Sequence, residues 1–351
     1  MPFDRPWAVP WPANELEYVT VCPVCGCTSR EVLHGDLIDN VCFVALGYWT
    51  MFRCNQCCCA YLDPRPSPAS INKAYGTYYT HNVEMPREEV NQLSGFRRWR
   101  RMLANGYINQ CYGTSYQPAS ALGTWVAVLL PQQRQAMDVQ FRYLPKPKEK
   151  QRLLDIGCGN GSFLERARHA GWDVLGLEPD PKAADAARQR GFNVVVGTID
   201  ELSDVTACFD AITLSHVIEH VYWPFELMMS VHRLLKPGGV VYIDTPNINS
   251  HGAKVFGGNW RGLETPRHLV LFNPASLKNL LTAAGFNLIK MKRRTAVAPF
   301  MCQTSLQMQQ GNFPHKTPPS MLSKIEKIKM RLMTPTENLE FITLTAIRTG
   351  I

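Results

Sequence analysis

From Arg152 to the end of the chain, short apolar runs alternate with stretches of helical spacing. Arg152–Ile156, Asp173–Leu177, Asn193–Val196, Phe209–Leu214, Gly239–Ile243, Phe286–Lys292 and Glu340–Ile347 read as strands. Gly161–Ala170, Pro181–Arg190 and Pro224–Leu235 read as helices between them. A further helix opens at Asn273-Pro-Ala-Ser276, with asparagine as cap and proline in the first turn, and runs to Ala284. Strand–helix alternation of this kind predicts an α/β fold with a doubly wound, mostly parallel sheet. Upstream, residues 83–148 look mostly helical and close on the linker Pro145-Lys-Pro-Lys148, residues 21–82 are cysteine-bearing, and residues 1–20 look like an extended arm rich in Pro and Trp. The expected organisation is residues 1–82 as an N-terminal module, 83–148 as a helical linker or cap, and 149–351 as the α/β domain, with an insertion at about 296–338.

Composition narrows the class. With 45% hydrophobic and 19% charged residues over 351 positions, wholesale disorder is excluded. The longest strongly apolar stretch, Trp125–Leu130, has six residues where a membrane span needs about 20. The start of the chain lacks the apolar segment of a signal peptide, so the sequence predicts a soluble, cytoplasmic protein. The net charge of +8 is uneven: +3 over residues 1–150, −1 over 151–290 and +6 over 291–351. A nucleic-acid binder usually carries a denser basic stripe, which argues against nucleic acid as partner. The run Phe96-Arg-Arg-Trp-Arg-Arg101 could meet an anionic substrate, nucleic acid or, peripherally, a membrane. The commoner outcome is a solvated helix face with Trp99 turned to the core.

Eight of the 12 cysteines lie between Cys22 and Cys59. Without an export signal a disulfide scaffold is disfavoured, and a local metal site explains the clustering better. Cys22-Pro-Val-Cys25 and Cys54-Asn-Gln-Cys57 form two knuckles separated by 28 residues. Four thiolates can close around one structural zinc and leave no open position for catalysis. Cys27, Cys58 and Cys59 blur which thiols would ligate.

Gly157, Gly159 and Gly161 sit between a predicted strand and helix in Asp155-Ile-Gly-Cys-Gly-Asn-Gly161. Their spacing is one residue shorter than the dinucleotide fingerprint. Glu178 ends the next strand, where a carboxylate can accept both hydroxyls of a ribose. These residues resemble the class I S-adenosylmethionine (SAM)-dependent methyltransferases. Gly197-Thr-Ile-Asp200, Phe209–Val221 and Leu234-Leu-Lys-Pro-Gly-Gly239 match further segments in order, over about residues 150–290. The resemblance implies a seven-stranded Rossmann-like sheet and SAM held by Asp155, Gly157, Cys158, Gly159, Gly161, Glu178, Pro179, Thr198, Ile199 and Ser215. Cys22-Pro-Val-Cys-Gly26, Leu62-Asp-Pro-Arg-Pro66, Tyr78-Tyr-Thr-His81, Thr245-Pro-Asn247 and Trp260–Phe272 look like a bacterial zinc-ribbon group of these enzymes. That group is often associated with polysaccharide or secondary-metabolite biosynthesis.

His216-Val-Ile-Glu-His220 follows a predicted strand, so a metalloprotease reading of its H-x-x-E-H spacing is rejected. The expected base is His216, then His220, then His268, since imidazole accepts a proton near neutral pH. Some relatives in ubiquinone pathways hold a divalent ion near this loop. Glu219, Asn247, Trp260, Arg261 and Arg267 are the candidate acceptor contacts, with Trp260 stacking on a sugar ring. The alternative is that Trp260 packs inside a lid and that Arg267 pairs with Glu264. The function expected is methyl transfer from SAM to a hydroxyl of a saccharide or other small metabolite. Its rivals are a zinc-ribbon RNA methyltransferase and a SAM-binding scaffold without turnover.

Overall fold

A computed structural model describes residues 5–76, 95–312 and 334–349. The Tyr78–His81 motif, the boundary at 82 and residues 313–333 of the expected insertion lie outside the described residues. The N-terminal strands are β1 (Leu16–Glu17), β2 (Arg30–Leu37), β3 (Trp49–Cys54), β4 (Ala60–Leu62) and β5 (Arg65–Pro66). Helices α1 (Gly95–Tyr112), α2 (Gly123–Leu129) and α3 (Pro131–Gln140) follow. Then come β6 (Arg152–Ile156), α4 (Ser162–His169), β7 (Asp173–Glu178), α5 (Pro181–Gln189), β8 (Val194–Val196), β9 (Phe209–Ser215), α6 (Pro224–Leu234) and β10 (Leu235–Pro246). The last described elements are α7 (His251–Phe256), β11 (Val270–Leu271), α8 (Pro274–Ala283), β12 (Phe286–Lys292), α9 (Ala298–Gln309) and β13 (Phe341–Arg348).

Seven strands form a mostly parallel, Rossmann-like sheet in the order β12-β13-β10-β9-β6-β7-β8. The parallel pairings β6–β7, β6–β9 and β7–β8 put Asp155 level with Gly176 and Thr213. β6 is buried from Leu153 to Ile156, as a strand covered on both faces must be, which explains its nearly unbroken apolar run. Asn273 caps α8 as expected: its side chain accepts from the Ser276 N–H, and the Ser276 hydroxyl accepts from the Asn273 N–H.

Contacts gather the chain into two units, each discontinuous in sequence. One comprises residues 1–78, 216–229 and 243–344; the other comprises 79–215, 230–242 and 345–351. In the first, β11 completes a four-stranded sheet, order β11-β4-β3-β2, with Val270 opposite Tyr61 and Leu271 opposite Ala60. Its core joins Trp11, Trp49 and Met51 to Trp260, Leu263 and Leu271. The expected arm is therefore packed: β1 pairs with β5, and Trp11 stands edge-on to Trp49 with ring centroids 5.4 Å apart. Burying an indole outweighs the solvation an extended arm would keep. In the second unit, Tyr107, Tyr112 and Phe141 pack with Leu153, Phe163 and Trp172.

Candidate functional site

The glycine loop joins β6 to α4. Gly159 has φ +54° and an added Cβ would meet nothing within 4 Å, so space lies open beside its backbone. Gly161 has φ +78°, and a Cβ there would press on Phe192 and Ala187 at 3.0 and 3.1 Å; this glycine serves packing. Glu178, at the tip of β7, accepts the Gly159 N–H at 2.8 Å and the Asp180 N–H at 3.0 Å, one bond per oxygen. Burial pushes its pKa up, and these two N–H donors offset part of the rise. Each oxygen keeps a lone pair for a further donor.

Asp155, at the tip of β6, is fully buried, and burial raises its pKa against the opposing charge of Arg142. Its Oδ1 accepts from the Thr213 hydroxyl at 2.8 Å and from Arg142, whereas Oδ2 is buried with no partner. An orphaned carboxylate oxygen beside an open glycine loop is the environment a cationic or N–H-bearing ligand would satisfy. The residues therefore fit SAM. Thr198 bonds Asp200 at 3.0 Å, Ile199 opens a short 3-10 turn, and buried Cys158 packs against Gly176. Pro179 follows β7, and half-buried Ser215 ends β9.

In the first unit, the ligand atoms of Cys22, Cys25, Cys54 and Cys57 all lie within 4.8 Å of one another. Sγ–Sγ separations are 3.7 Å for Cys22–Cys57 and 3.5 Å for Cys25–Cys54. A tetrahedral zinc with bonds of about 2.3 Å requires edges of roughly 3.8 Å. The set fits a closed structural zinc. Buried Cys59 is a fifth neighbour, 3.3 Å from both Cys22 and Cys57. Cys27 instead turns to the Ser29 carbonyl.

A second cluster lies in the same unit. His216 directly follows β9 with φ 57°. Its Nδ1 is 3.2 Å from Glu219 Oε1, its Nε2 is 3.4 Å from Asp244 Oδ2, and its ring stands edge-on to Phe341. Glu219 is fully buried and also accepts from the Thr245 hydroxyl at 2.9 Å. Burial alone would raise its pKa, but the hydrogen bond from His216 and the neighbouring imidazoles bring it down to about 2. His220 Nδ1–H donates to the Arg267 carbonyl at 3.0 Å, with the Tyr75 hydroxyl equally near. His268 Nδ1–H donates to the Gly262 carbonyl at 2.8 Å, and its ring centroid is 4.7 Å from that of His220. A carbonyl only accepts, so the neutral form of each ring keeps its basic lone pair on Nε2. Burial first, then the neighbouring His220, pushes His268 down to about 4. The donor atoms of Glu219, His220 and His268 lie within 4.8 Å of one another, a set able to hold a metal ion.

The expected acceptor contacts sit elsewhere than anticipated. Trp260 is fully buried, its indole N–H donating to Glu340 at 2.9 Å, so no ring face is open to a sugar. Core packing won because the indole finds both apolar neighbours and a carboxylate there. Arg267 is fully buried as well. It donates to Asp39 at 2.6 and 3.1 Å, to the Ala74 carbonyl at 2.9 Å and to Glu264 at 3.3 Å, which occupies its fork. Arg261 pairs with Glu264 at 2.5 Å. Asn247 is buried, its amide donating to the Glu337 and Leu339 carbonyls and accepting from the Asn249 N–H. Trp260, Arg267 and Asn247 thus spend their polar groups on buried partners.

Asp244 was not singled out from sequence. It bonds Thr343 at 2.5 Å, pairs with Arg294 and faces His216. The signal was available: like Glu178, it is an acid near the end of a predicted strand. Asp39 carried no signal, since its partner is 228 residues away.

A family model described as "Methyltransferase domain" matches residues 131–291. The ubiquinone biosynthesis O-methyltransferase of Cereibacter sphaeroides is 32% identical over 160 residues, covering 42% of this chain and 65% of that protein. Its namesake from Rhizobium leguminosarum bv. trifolii is 30% identical over 155 residues, covering 41% and 62%. The chain thus spans slightly less than two thirds of the length of these relatives. Among solved structures, a SAM-dependent methyltransferase from Archaeoglobus fulgidus aligns with TM-score 0.42 at 21% identity, covering 61% of this chain and 93% of that one. Haemonchus contortus phosphoethanolamine N-methyltransferase 2, in complex with SAM, aligns with TM-score 0.48 at 18% identity, covering 83% and 63%.

Proposed function

We propose that this chain transfers a methyl group from SAM to a hydroxyl of a saccharide or other small-metabolite acceptor. The observation that carries the reading is the ligand-ready end of β6 and β7, inside the stretch that the methyltransferase family model matches. There an orphaned Asp155 oxygen, open space beside Gly159 and a Glu178 carboxylate with spare lone pairs come together. SAM, when bound, supplies a methyl group made electrophilic by its sulfonium. Glu178 would accept hydrogen bonds from the ribose hydroxyls, and Asp155 would offer its free oxygen to a donor on the ligand. The hydroxyl choice follows the relatives from Cereibacter sphaeroides and Rhizobium leguminosarum, which are named as O-methyltransferases.

The acceptor hydroxyl must lose a proton as its oxygen is methylated. His220 suits this best: its Nδ1–H is fixed on the Arg267 carbonyl, which leaves Nε2 to take the proton. That changes the order expected from sequence, which put His216 first. Both His216 nitrogens already face carboxylates, so it serves better to orient Glu219 and Asp244. His268 is too buried to meet an acceptor and instead packs the His220 ring. Zinc at the four thiols has a structural part only.

The test is incubation with methyl-labelled SAM and fractionated small-molecule, saccharide and RNA extracts, followed by mass spectrometry of the labelled product. Label on a small-molecule or saccharide oxygen is expected. Label confined to RNA would reject the acceptor class. SAM binding with no label in any fraction would reject turnover.

A further inference from the structure

In α2 the usual burial pattern is inverted. Gly123 and Ala127 face inward, while Leu122, Trp125, Val128 and Leu129 point to solvent. Leu122, Trp125 and Leu129 share one helix face at i, i+3 and i+7, and are 64%, 76% and 78% exposed. The small residues let the helix lie directly on α1: a Cβ at Gly123 would sit 2.0 Å from the Leu103 carbonyl oxygen. The first two turns of α1 are exposed throughout, from Gly95 to Arg101. There Phe96 and Trp99 stack with ring centroids 5.9 Å apart, flanked by Arg97, Arg98, Arg100 and Arg101. Trp99 is thus half exposed, not turned to the core as a solvated amphipathic helix would require.

Charge makes the occupant specific. From Gly95 to Met137 the sequence holds five arginines and no Asp, Glu or Lys. We propose that α1 and α2 form a docking surface for an anionic lipid bilayer. The exposed tryptophans, phenylalanine and aliphatic side chains enter the headgroup and upper acyl region, and the arginine heads reach back to lipid phosphates. A second copy of this chain meeting the same face would bring two sets of four α1 arginines together, which disfavours self-association there. Single-stranded RNA would use the aromatic rings but leave Leu122, Val128 and Leu129 without a role. Among the described residues no helix can cross a membrane, so the contact is one of surface attachment.

The experiment is flotation of the full-length protein with vesicles of phosphatidylcholine alone or with 30% phosphatidylglycerol. Circular dichroism and light scattering accompany each variant. Binding to the anionic vesicles, with little to the neutral ones, is expected. Replacing Arg97, Arg98, Arg100 and Arg101 by Gln should lower the partition coefficient roughly 100-fold or more, at about fivefold per arginine. Trp125→Ser with Leu129→Ser should lower it by roughly 10-fold or more while thermal stability holds, because both side chains are exposed. Equal binding to neutral vesicles, or anionic binding that survives both sets of substitutions, would overturn the proposal. So would a dimer that the Trp125→Ser, Leu129→Ser variant dissociates.

Discussion

The glycine loop and the histidine cluster are built in opposite ways. The loop is local: Asp155, Gly157, Gly159 and Gly161 span seven residues, and Glu178 ends the next strand in the chain. Its groups are backbone N–H donors and strand-tip carboxylates carried mainly by one strand–loop–helix–strand path, with Thr213 and Arg142 as further partners of Asp155. The cluster is assembled over long separations, with Tyr75 145 residues from His220, and Arg267 228 residues from Asp39. A site made by backbone geometry tolerates changes to distant residues. A site made by buried polar side chains depends on every partner that holds them.

The sharpest way to break this contrast is at the base. His220→Ala should lower kcat by roughly 10²–10⁴-fold with SAM affinity unchanged, the range for losing a general base. His216→Ala should lower it less if that ring only orients its neighbours. Steady-state kinetics on the identified acceptor, with calorimetry of SAM, decides; equal losses would merge the two roles.

The next effect is on stability. Arg267 and Asp39 are both fully buried, and Asp39 lies below its ordinary carboxylate range because Arg267 offsets the cost of burial. Asp39→Ala should therefore cost about 3–5 kcal/mol, the usual loss when one partner of a buried pair is removed. Urea denaturation measures it, and a change under 1 kcal/mol would show the guanidinium finding other partners at no cost.

Acid should destabilise the cluster. His268 drops from 6.5 to about 4 on folding, so between those values the unfolded chain binds more protons and stability falls as pH falls. The full contribution is about 3 kcal/mol. Glu219 has the opposite chemistry but the same outcome: its depressed pKa stabilises above 4.5, and that share is lost as pH falls toward about 2. His268→Gln should flatten the upper part of the pH profile in thermal melts. An unchanged slope between pH 6.5 and 4 would place the acid sensitivity elsewhere.

The smallest effect is expected at the loop. Glu178→Ala should weaken SAM binding by about 1.5–3 kcal/mol, the range for hydrogen bonds to a charged group. Global stability should change less, since the lost bonds are two backbone donors near open space. Unchanged affinity by calorimetry would mean the ribose is held by other groups.

Legibility in the sequence follows the same contrast. β6 through β9, the glycine loop, Glu178 and the four thiols were readable because each rests on a local period or spacing. Trp260, Arg267 and Asn247, expected as acceptor contacts, are buried instead, because residue type alone does not say whether a polar side chain will find a buried partner. For Arg267 and Trp260 those partners are Asp39 and Glu340, and neither lies near its mate in the chain. Outward-facing Trp99 and Trp125 were hidden for the converse reason: tryptophan in a helix is ordinarily core.

The late strand β11 has one more consequence. By pairing with β4 it closes one edge of the cysteine-bearing sheet, with Val270 lying 209 residues downstream of its partner Tyr61. An excised ribbon would fold, if at all, with that row of backbone donors and acceptors bare, a template for strand addition between molecules. The thiol cluster is a detachable finger only on paper; expressed alone it should aggregate unless β11 is supplied in trans as a peptide.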